Sequence, residues 1–376
     1  MSGDNLARER EREEARRVLI LTGGEDVPGL NAVVRAFVKA AAMFDLEVYA
    51  SEDGFAGLVD DPARTVRLTP QSVRGILHLG GTILGCSDRV NPFAYRVVDA
   101  DGTEREVDVS ERVLANLEAL GIETLVLVGG HGTLEIGMGL AKLGVSIIGI
   151  PRSVDNDLAG TDVTFGLDTA VAGAMWAIDA LHTSADAHDQ VSILEVAGSH
   201  SGWIALMAGI AGGADVVLIP EVPYDIDRVV EKIQTRAAQR HKFSIVVVAE
   251  GSKPLGGTVS NISDAHESNV HRHESAAFQL ARLLEGRLEQ DVRVTLMANL
   301  QRGGSPSPRD RLLGTRFGVH AAELCYHENT GVVVAMRGQE VVSLPLEAAV
   351  AGVKRVPPDG ELITVARLIG IELGQE

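Results

Sequence analysis

Residues 146–157 read Ser-Ile-Ile-Gly-Ile-Pro-Arg-Ser-Val-Asp-Asn-Asp. An apolar run of strand length ends in a proline and is followed at once by Ser153, Asp155 and Asp157. In open α/β sheets, chemistry gathers outside the carboxyl ends of the strands, so the stretch predicts a buried strand with a reactive group at its end. A carboxylate in that place suits a base that takes a proton from a hydroxyl, and Asp155 is the candidate. The same residues also suit an Asx-turn, in which Asp155 and Asp157 only cap loop backbone. The stretch by itself leaves both open.

Two glycine-rich turns bear on that choice. Val18–Thr22 is a short apolar run followed by Gly-Gly-Glu-Asp-Val-Pro-Gly-Leu-Asn (23–31) and a helical stretch over 32–43. Residues 124–133, Thr-Leu-Val-Leu-Val-Gly-Gly-His-Gly-Thr, join a second strand to a helix over 134–143 in the same way. Strand, glycine turn and helix form a phosphate cradle, because glycine lets backbone N–H groups approach an anion that the helix N-terminus also attracts. One such turn is weak, since any α/β protein turns on glycine. Its recurrence around an acidic strand end points to phosphate chemistry.

Further apolar runs fall at 47–50, 191–196, 215–219, 243–249, 292–298 and 332–335, alternating with helical patterns. That alternation predicts a doubly wound, mainly parallel (Rossmann-like) α/β architecture, and 376 residues suit two such domains. The chain has 376 residues, a net charge of −18 and two cysteines. The acidic balance argues against nucleic acid as a partner, because the phosphate backbone needs a basic face. Cys86 and Cys325 cannot build a disulfide framework and read as reduced thiols. No apolar stretch is long enough to cross a bilayer and the N-terminus is unlike a signal peptide, so no membrane association and a cytoplasmic location are expected. Residues 4–17 mix charges of both signs with little to bury, and 1–17 reads as a flexible charged extension.

Over nearly its whole length the sequence resembles the phosphofructokinase family. The resemblance rests on Thr22–Asn31, Gly80–Gly85, Gly129–Thr133, Pro151–Asp157, Gly160–Thr169, Leu194–Gly202, Glu250 and Leu-Gln-Arg-Gly-Gly-Ser-Pro at 300–306, in the family's order. Gly-Gly-Thr-Ile-Leu-Gly at 80–85 and Gly-Trp-Ile-Ala-Leu at 202–206 liken it to the actinobacterial branch, which holds ATP-dependent and pyrophosphate-dependent enzymes. The resemblance implies a Mg²⁺-dependent phosphotransferase that moves the γ-phosphoryl group of ATP to a hydroxyl of a sugar, sugar phosphate or related polyol. The alternatives are pyrophosphate as donor, or a catalytically dead member with a regulatory binding role. It further implies a donor-binding domain over 18–166 plus 301–351, an acceptor-binding domain over 167–300 plus 352–376, and a homodimer or homotetramer with shared active sites.

Position by position, the resemblance implies Asp155 as the base, Ser153 and Arg302 as steadying the transferred phosphoryl group, and Asp157 as supporting the loop and metal. On the donor side it implies Gly23, Gly24, Glu25, Arg89, Gly130, His131, Gly132, Thr133 and Arg152. Around the small-molecule acceptor it implies Gln190, Ala197, Gly198, Ser199, Glu250, Arg293, Asn299 and Arg302. Several positions depart from the family. Glu25 replaces a glycine and His131 an acidic residue beside the metal. A Mg²⁺ ion held by Glu25, Asp155 and Asp157 would reconcile the two changes, since Mg²⁺ selects oxygen over imidazole. Alternatively Glu25 faces solvent and His131 is a turn residue bonded to backbone. Gln190, Ser199 and Asn299 replace two arginines and a histidine, which weakens a phosphate pocket and puts fructose 6-phosphate in doubt as the acceptor. Gly132 is the small residue that leaves room for a nucleotide, where aspartate marks pyrophosphate users, so ATP is the expected donor.

Overall fold

The structure is a computed structural model that describes residues 16–99, 102–239, 241–257 and 275–375. The expected charged extension lies outside the described residues except at its end. Arg16 and Arg17 are anchored there: Arg16 Nε donates to Glu123 at 2.9 Å, and Arg17 opens the first strand. In chain order the strands are β1 (Arg17–Thr22), β2 (Glu47–Ser51), β3 (Thr65–Leu68), β4 (Tyr95–Val98), β5 (Glu104–Val107), β6 (Ile122–Gly129), β7 (Ile147–Ser153), β8 (Phe165–Gly166), β9 (Val191–Val196), β10 (Val216–Leu218), β11 (Ser244–Ala249), β12 (Val292–Leu296), β13 (Val332–Arg337) and β14 (Glu340–Pro345).

The chain divides into two compact units. One contains the described residues through Ser153, with Leu158–Gly166 and Gly304–Gly352. Its sheet runs β14-β13-β7-β6-β1-β2-β3, with β8 alongside β7. Every pairing is parallel except those of the outer strands β3 and β14. The interior strands are continuous runs of Val, Ile and Leu because helices cover both faces: Val18–Leu21 and Leu125–Val128 have no exposed surface. Helix Leu30–Ala41 buries Leu30, Val33, Val34, Phe37, Val38 and Ala41, the spacing of a helix with one apolar face. It packs on helix Pro308–Tyr326, where a Cβ at Gly318 would fall 2.5 Å from the Val33 carbonyl oxygen, so the two backbones can approach only over a glycine.

The chain passes from β1 to β2 on one side and reaches β6 on the other, so the strand order reverses between β1 and β6. A crevice at the carboxyl ends of those strands is where such sheets bind ligands. β7 was expected to stop at Pro151, but it continues to Ser153 because Arg152 and Ser153 pair with Phe165 and Gly166 of β8. The antiparallel strands β3, β14 and the β4–β5 hairpin were not foreseen; they are partly exposed and lack an apolar run.

The second unit contains Val154–Asp157, Leu167–Gly303 and the described residues from Val353. Its sheet, in order β10-β11-β9-β12, is wholly parallel. Val191, Ile193, Val216, Leu218, Val246 and Val248 build its core with Leu280 and Leu284. Val154–Asp157 differ from the expected limits by belonging here. The physical reason is bonding: Ser201 Oγ donates to the Asp155 carbonyl at 2.8 Å and the Lys354 N–H to the Asp157 carbonyl at 2.7 Å.

Candidate active site

Both glycine turns of the first unit close on one threonine. A Cβ at Gly23 would lie 2.6 Å from Thr133 Oγ1, and one at Gly129 would lie 2.3 Å from Thr133 Cβ. The Gly23 N–H donates to the Val128 carbonyl at 2.9 Å, which fixes the first turn against the end of β6. The 80–87 loop docks onto the same turn: the Gly24 N–H donates to the Ser87 carbonyl at 3.0 Å and Thr22 Oγ1 to that of Gly85 at 2.7 Å. Asn31 closes this arrangement through its side chain, donating to the carbonyls of Leu79 and Gly80 and accepting from the Ile83 N–H.

Beside these turns lies a cavity of about 560 Å³, within the size range of small-molecule sites. Gly24, Gly130, Gly132, Thr133 and Arg152 form a polar wall, and Phe55, Val90, Phe93 and Ile136 an apolar one. Gly130 precedes helix His131–Lys142, whose N-terminus adds its N–H groups to the polar wall. Arg152 is buried and donates to the Gly23 carbonyl from Nη2 at 3.1 Å and Nε at 3.3 Å. No atom lies within 4 Å of where a Cβ on Gly132 would stand. Of the donor positions that the resemblance implies, Gly24, Glu25, Gly130, His131, Gly132, Thr133 and Arg152 line this cavity, Gly23 packs against Thr133 beside it, and Arg89 does not line it. Arg89 is exposed, and its neighbours Ser87, Asp88, Val90 and Asn91 line the cavity in its stead.

Glu25 is exposed and lines the cavity with Asp88 and Glu135. His131 is engaged on both ring nitrogens, Nε2 lying 3.2 Å from the Val350 carbonyl oxygen and Nδ1 3.5 Å from Glu135. This is the backbone-bonded alternative for His131. Glu25 lies in the first unit and Asp155 and Asp157 in the second; among the described residues no group of three or more His, Cys, Asp or Glu side chains is placed to hold an ion. Mg²⁺ in phosphoryl-transfer sites usually takes only one or two carboxylates and completes its shell with water and substrate phosphates. The oxygen donors of Glu25 and Asp88 fit that mode.

In the second unit, Asp155 is partly buried with Oδ1 sealed from solvent. Glu250 follows β11 and accepts a short hydrogen bond from Ser199 Oγ. Gly198 is left-handed at φ 138°, and a Cβ at Gly251 would fall 2.0 Å from the Ser199 carbonyl oxygen, so this loop is packed backbone to backbone. Gln301 ties the Leu300–Pro306 motif to it: its Oε1 accepts the Ala197 N–H at 2.7 Å and its Nε2 donates to the Ala170 carbonyl at 3.1 Å. Arg302 is partly buried, and burial lowers its pKa from the ordinary guanidinium value. Gln190 Nε2 donates to Ser192 Oγ at 3.5 Å, while Asn299 and Arg293 are exposed and Arg293 pairs with Asp291 at 3.3 Å.

Several site-building residues escaped the sequence reading. Thr164 Oγ1 donates to the Ser153 carbonyl at 2.7 Å, and Ser201, Lys354 and Gln301 act as described above. Thr164, Ser201 and Gln301 fall inside the segments that carry the family resemblance, but which backbone groups they hold depends on the fold, and Lys354 lies outside those segments.

Comparison with known proteins fits this geometry. The phosphofructokinase family model matches residues 17–325. The ATP-dependent 6-phosphofructokinase of Chloroflexus aggregans is 46% identical over 360 residues, covering 96% of this chain and 98% of that one. The pyrophosphate–fructose 6-phosphate 1-phosphotransferase of Streptomyces coelicolor is 43% identical over 345 residues, covering 91% and 96%. Among solved structures, phosphofructokinase from Saccharomyces cerevisiae superposes with a TM-score of 0.74 at 28% identity, covering 89% of this chain and 45% of that one. The pyrophosphate-dependent enzyme of Marinobacter aquaeolei, at 19% identity and a TM-score of 0.76 over 96% and 89% of the two chains, shares the fold. Matched over most of its length by the family model and by full-length relatives, the chain belongs to the phosphofructokinase family.

Proposed function

We propose that the protein is a Mg²⁺-dependent phosphotransferase that moves the γ-phosphoryl group of ATP to a hydroxyl of a sugar or sugar phosphate. The observation that carries this reading is the cavity at the β1/β6 switch point, which joins two glycine turns, a helix N-terminus and Arg152 to an apolar wall. Pyrophosphate has nothing to place against Phe55, Val90, Phe93 and Ile136, whereas a nucleotide base does. The open space at Gly132 favours the same donor.

In this reading the first unit binds the donor and the second the acceptor. Asp155 takes the proton of the acceptor hydroxyl as its oxygen attacks the γ-phosphorus; the bond to the β-phosphate oxygen breaks, ADP leaves and Asp155 returns the proton to water. Ser153 and Arg302 steady the phosphoryl group in flight. Arg302 suits the role because its burial strengthens its interaction with a transferred anion. Bound magnesium would neutralise phosphate charge, with Glu25 and Asp88 of the cavity lining as oxygen donors and Asp157 on the acceptor side. Glu250 receives acceptor hydroxyls, with Ser199 orienting its carboxylate.

The acceptor side is poor in cations, since Gln190, Ser199 and Asn299 stand where the family carries charge. Fructose 6-phosphate, which the name of the Streptomyces coelicolor relative specifies, is accordingly proposed as a weak acceptor here. A homodimer or homotetramer in which Arg293 serves a neighbouring copy is part of the proposal, and the exposure of Arg293 supports it. Among the described residues no helix is long and apolar enough to cross a membrane; a cytoplasmic enzyme is proposed.

Phosphoryl-transfer assays with ATP and with pyrophosphate, against fructose 6-phosphate and a panel of sugars and polyols, test the reading. Asp155→Ser should lower kcat by about 10²–10⁴-fold with ATP binding retained. Transfer at the wild-type rate by that variant refutes the base; failure of the wild type with every acceptor favours the regulatory alternative.

A further inference from the structure

The stretch carrying Asp155 and Asp157 is gripped from two directions. Ser201 Oγ holds the Asp155 carbonyl at 2.8 Å and the Lys354 N–H holds that of Asp157 at 2.7 Å. Between the aspartates, Asn156 is 3% exposed and left-handed at φ 53°, a conformation that persists only where the surroundings impose it. Ser201 itself has no exposed surface.

A single carboxylate joins the two grips. Glu221 Oε1 accepts the N–H of Gly202, the residue after Ser201, at 3.0 Å. The same oxygen accepts the N–H of Val356, two residues beyond Lys354, at 2.8 Å. Oε2 lies 3.1 Å from the Gly202 nitrogen. The fit at Gly202 is tight, because a Cβ there would stand 2.3 Å from Ile219 and 3.1 Å from Glu221 Oε2. The same two segments meet again where Lys354 Nζ lies 5.4 Å from the centre of the Trp203 ring. All these residues belong to the second unit.

We propose that Glu221 is a positioning residue for the catalytic base: by holding Gly202 and Val356 together it sets Ser201 and Lys354, and through them the backbone of Asp155 and Asp157. The proposal rests on the reading of Asp155 as the base. Its logic is that transfer requires the base within hydrogen-bond reach of the attacking hydroxyl, and a backbone shift of one ångström spoils that geometry.

The full-length chain is assayed with ATP, Mg²⁺ and the acceptor of highest turnover from the panel, with ATP affinity measured by calorimetry and amide hydrogen exchange followed over residues 150–160. Glu221→Ala should lower kcat by about 10–100-fold, the cost of a misplacement of this size. ATP affinity should stay at the wild-type value, because the cavity residues all lie in the other unit, and exchange over 153–157 should quicken. Glu221→Gln keeps an acceptor oxygen where Oε1 takes both N–H groups, so it should restore most of kcat and of the protection. Ser201→Ala should lower kcat alone and lose little more in the Glu221→Ala background, because linked residues are not additive.

Wild-type kcat and exchange in Glu221→Ala, equal losses in the Ala and Gln variants, or strictly multiplicative losses with Ser201→Ala would each overturn the proposal. If Glu221→Ala does not fold, Ser201→Ala decides, and unchanged kcat and exchange in it reject the linkage. Asp155→Ser run in parallel separates the two readings. Activity in that variant removes the base and this proposal with it, whereas an inactive Asp155→Ser beside a fully active Glu221→Ala removes only the positioning role.

Discussion

Replacing Gly24 by alanine is the most direct test of the donor cradle. Gly24 is left-handed at φ 75°, and its new Cβ would fall 2.0 Å from Arg152 Nη2. The backbone conformation alone costs about 1–2 kcal/mol for a residue with a side chain. The contact cannot be relieved in place, because Arg152 is buried and its Nη2 and Nε are fixed on the Gly23 carbonyl at 3.1 and 3.3 Å. Displacing that guanidinium forfeits a hydrogen bond from a charged donor, worth about 1.5–3 kcal/mol. The two effects together give about 2.5–5 kcal/mol.

Gly75 supplies the control. It is also left-handed, at φ 81°, but has nothing within 4 Å of a built Cβ. Gly75→Ala should therefore lose only the conformational part, about 1–2 kcal/mol, and leave ATP binding alone. Urea unfolding of both variants isolates the Arg152 contribution as the difference. Titration of ATP·Mg²⁺ should show Gly24→Ala weakened by about ten- to a hundredfold, since each 1.4 kcal/mol is a factor of ten. If Gly24→Ala is no less stable than Gly75→Ala and binds ATP as the wild type does, Arg152 does not brace the turn as described.

Gly132→Asp should cut kcat/KM for ATP by filling the open space with a carboxylate, while pyrophosphate use holds or rises; a wild type that already prefers pyrophosphate refutes the donor reading. Restoring Arg at Gln190 and His at Asn299 should raise kcat/KM for fructose 6-phosphate by about ten- to a hundredfold per charge-assisted bond and leave neutral acceptors unchanged; ordinary wild-type efficiency with fructose 6-phosphate would make these replacements inconsequential. Burial raises the Glu195 carboxyl above its usual range despite bonds from Ser275 Oγ at 2.6 Å and the Ala277 N–H at 2.8 Å. A raised carboxyl favours the fold while protonated, and that contribution disappears as pH climbs through the raised value, so Glu195→Gln should gain stability over the wild type between about pH 4 and pH 7; a constant difference across that range refutes the assignment.

The two turns and the strand ends were legible in the sequence because each is a local event: glycine where backbones must meet, followed by a helix, and a run of β-branched residues ending in carboxylates. The same locality explains what was not legible. β3 and β14 cover the sheet edges with half-exposed residues, so burial imposes no run of apolar side chains on them. The roles of Ser201, Glu221 and Lys354 emerge only when the fold brings residues 155–157, 201–202, 221 and 354–356 into one linked group. Arg89 is a different case: side-chain direction within an irregular segment follows no period, and its neighbours Ser87, Asp88, Val90 and Asn91 line the cavity while Arg89 itself is exposed.

The departures that the resemblance implies fall unevenly between the donor and acceptor sides of the proposed reaction, and on that reading the asymmetry has a physical consequence. On the donor side the cradle is backbone, glycine geometry and one buried arginine, none of which depends on the changed residues Glu25 and His131; His131 is absorbed by Val350 and Glu135. On the acceptor side the changes strike side chains whose charge would be the means of recognition. A hydroxyl at Ser199 can orient Glu250 but cannot attract a phosphate from a distance, because its field is that of a dipole and not of an ion. The proposed donor cradle should therefore be unaffected while acceptor affinity for phosphorylated sugars is low, and with it the dependence of acceptor KM on salt, since screening acts only where charges attract. Measuring KM for fructose 6-phosphate at low and high ionic strength reads this directly: a flat response fits an acceptor pocket without its cations, and a steep rise with salt would show that other positive groups, Arg293 and Arg302 foremost, have taken over the work.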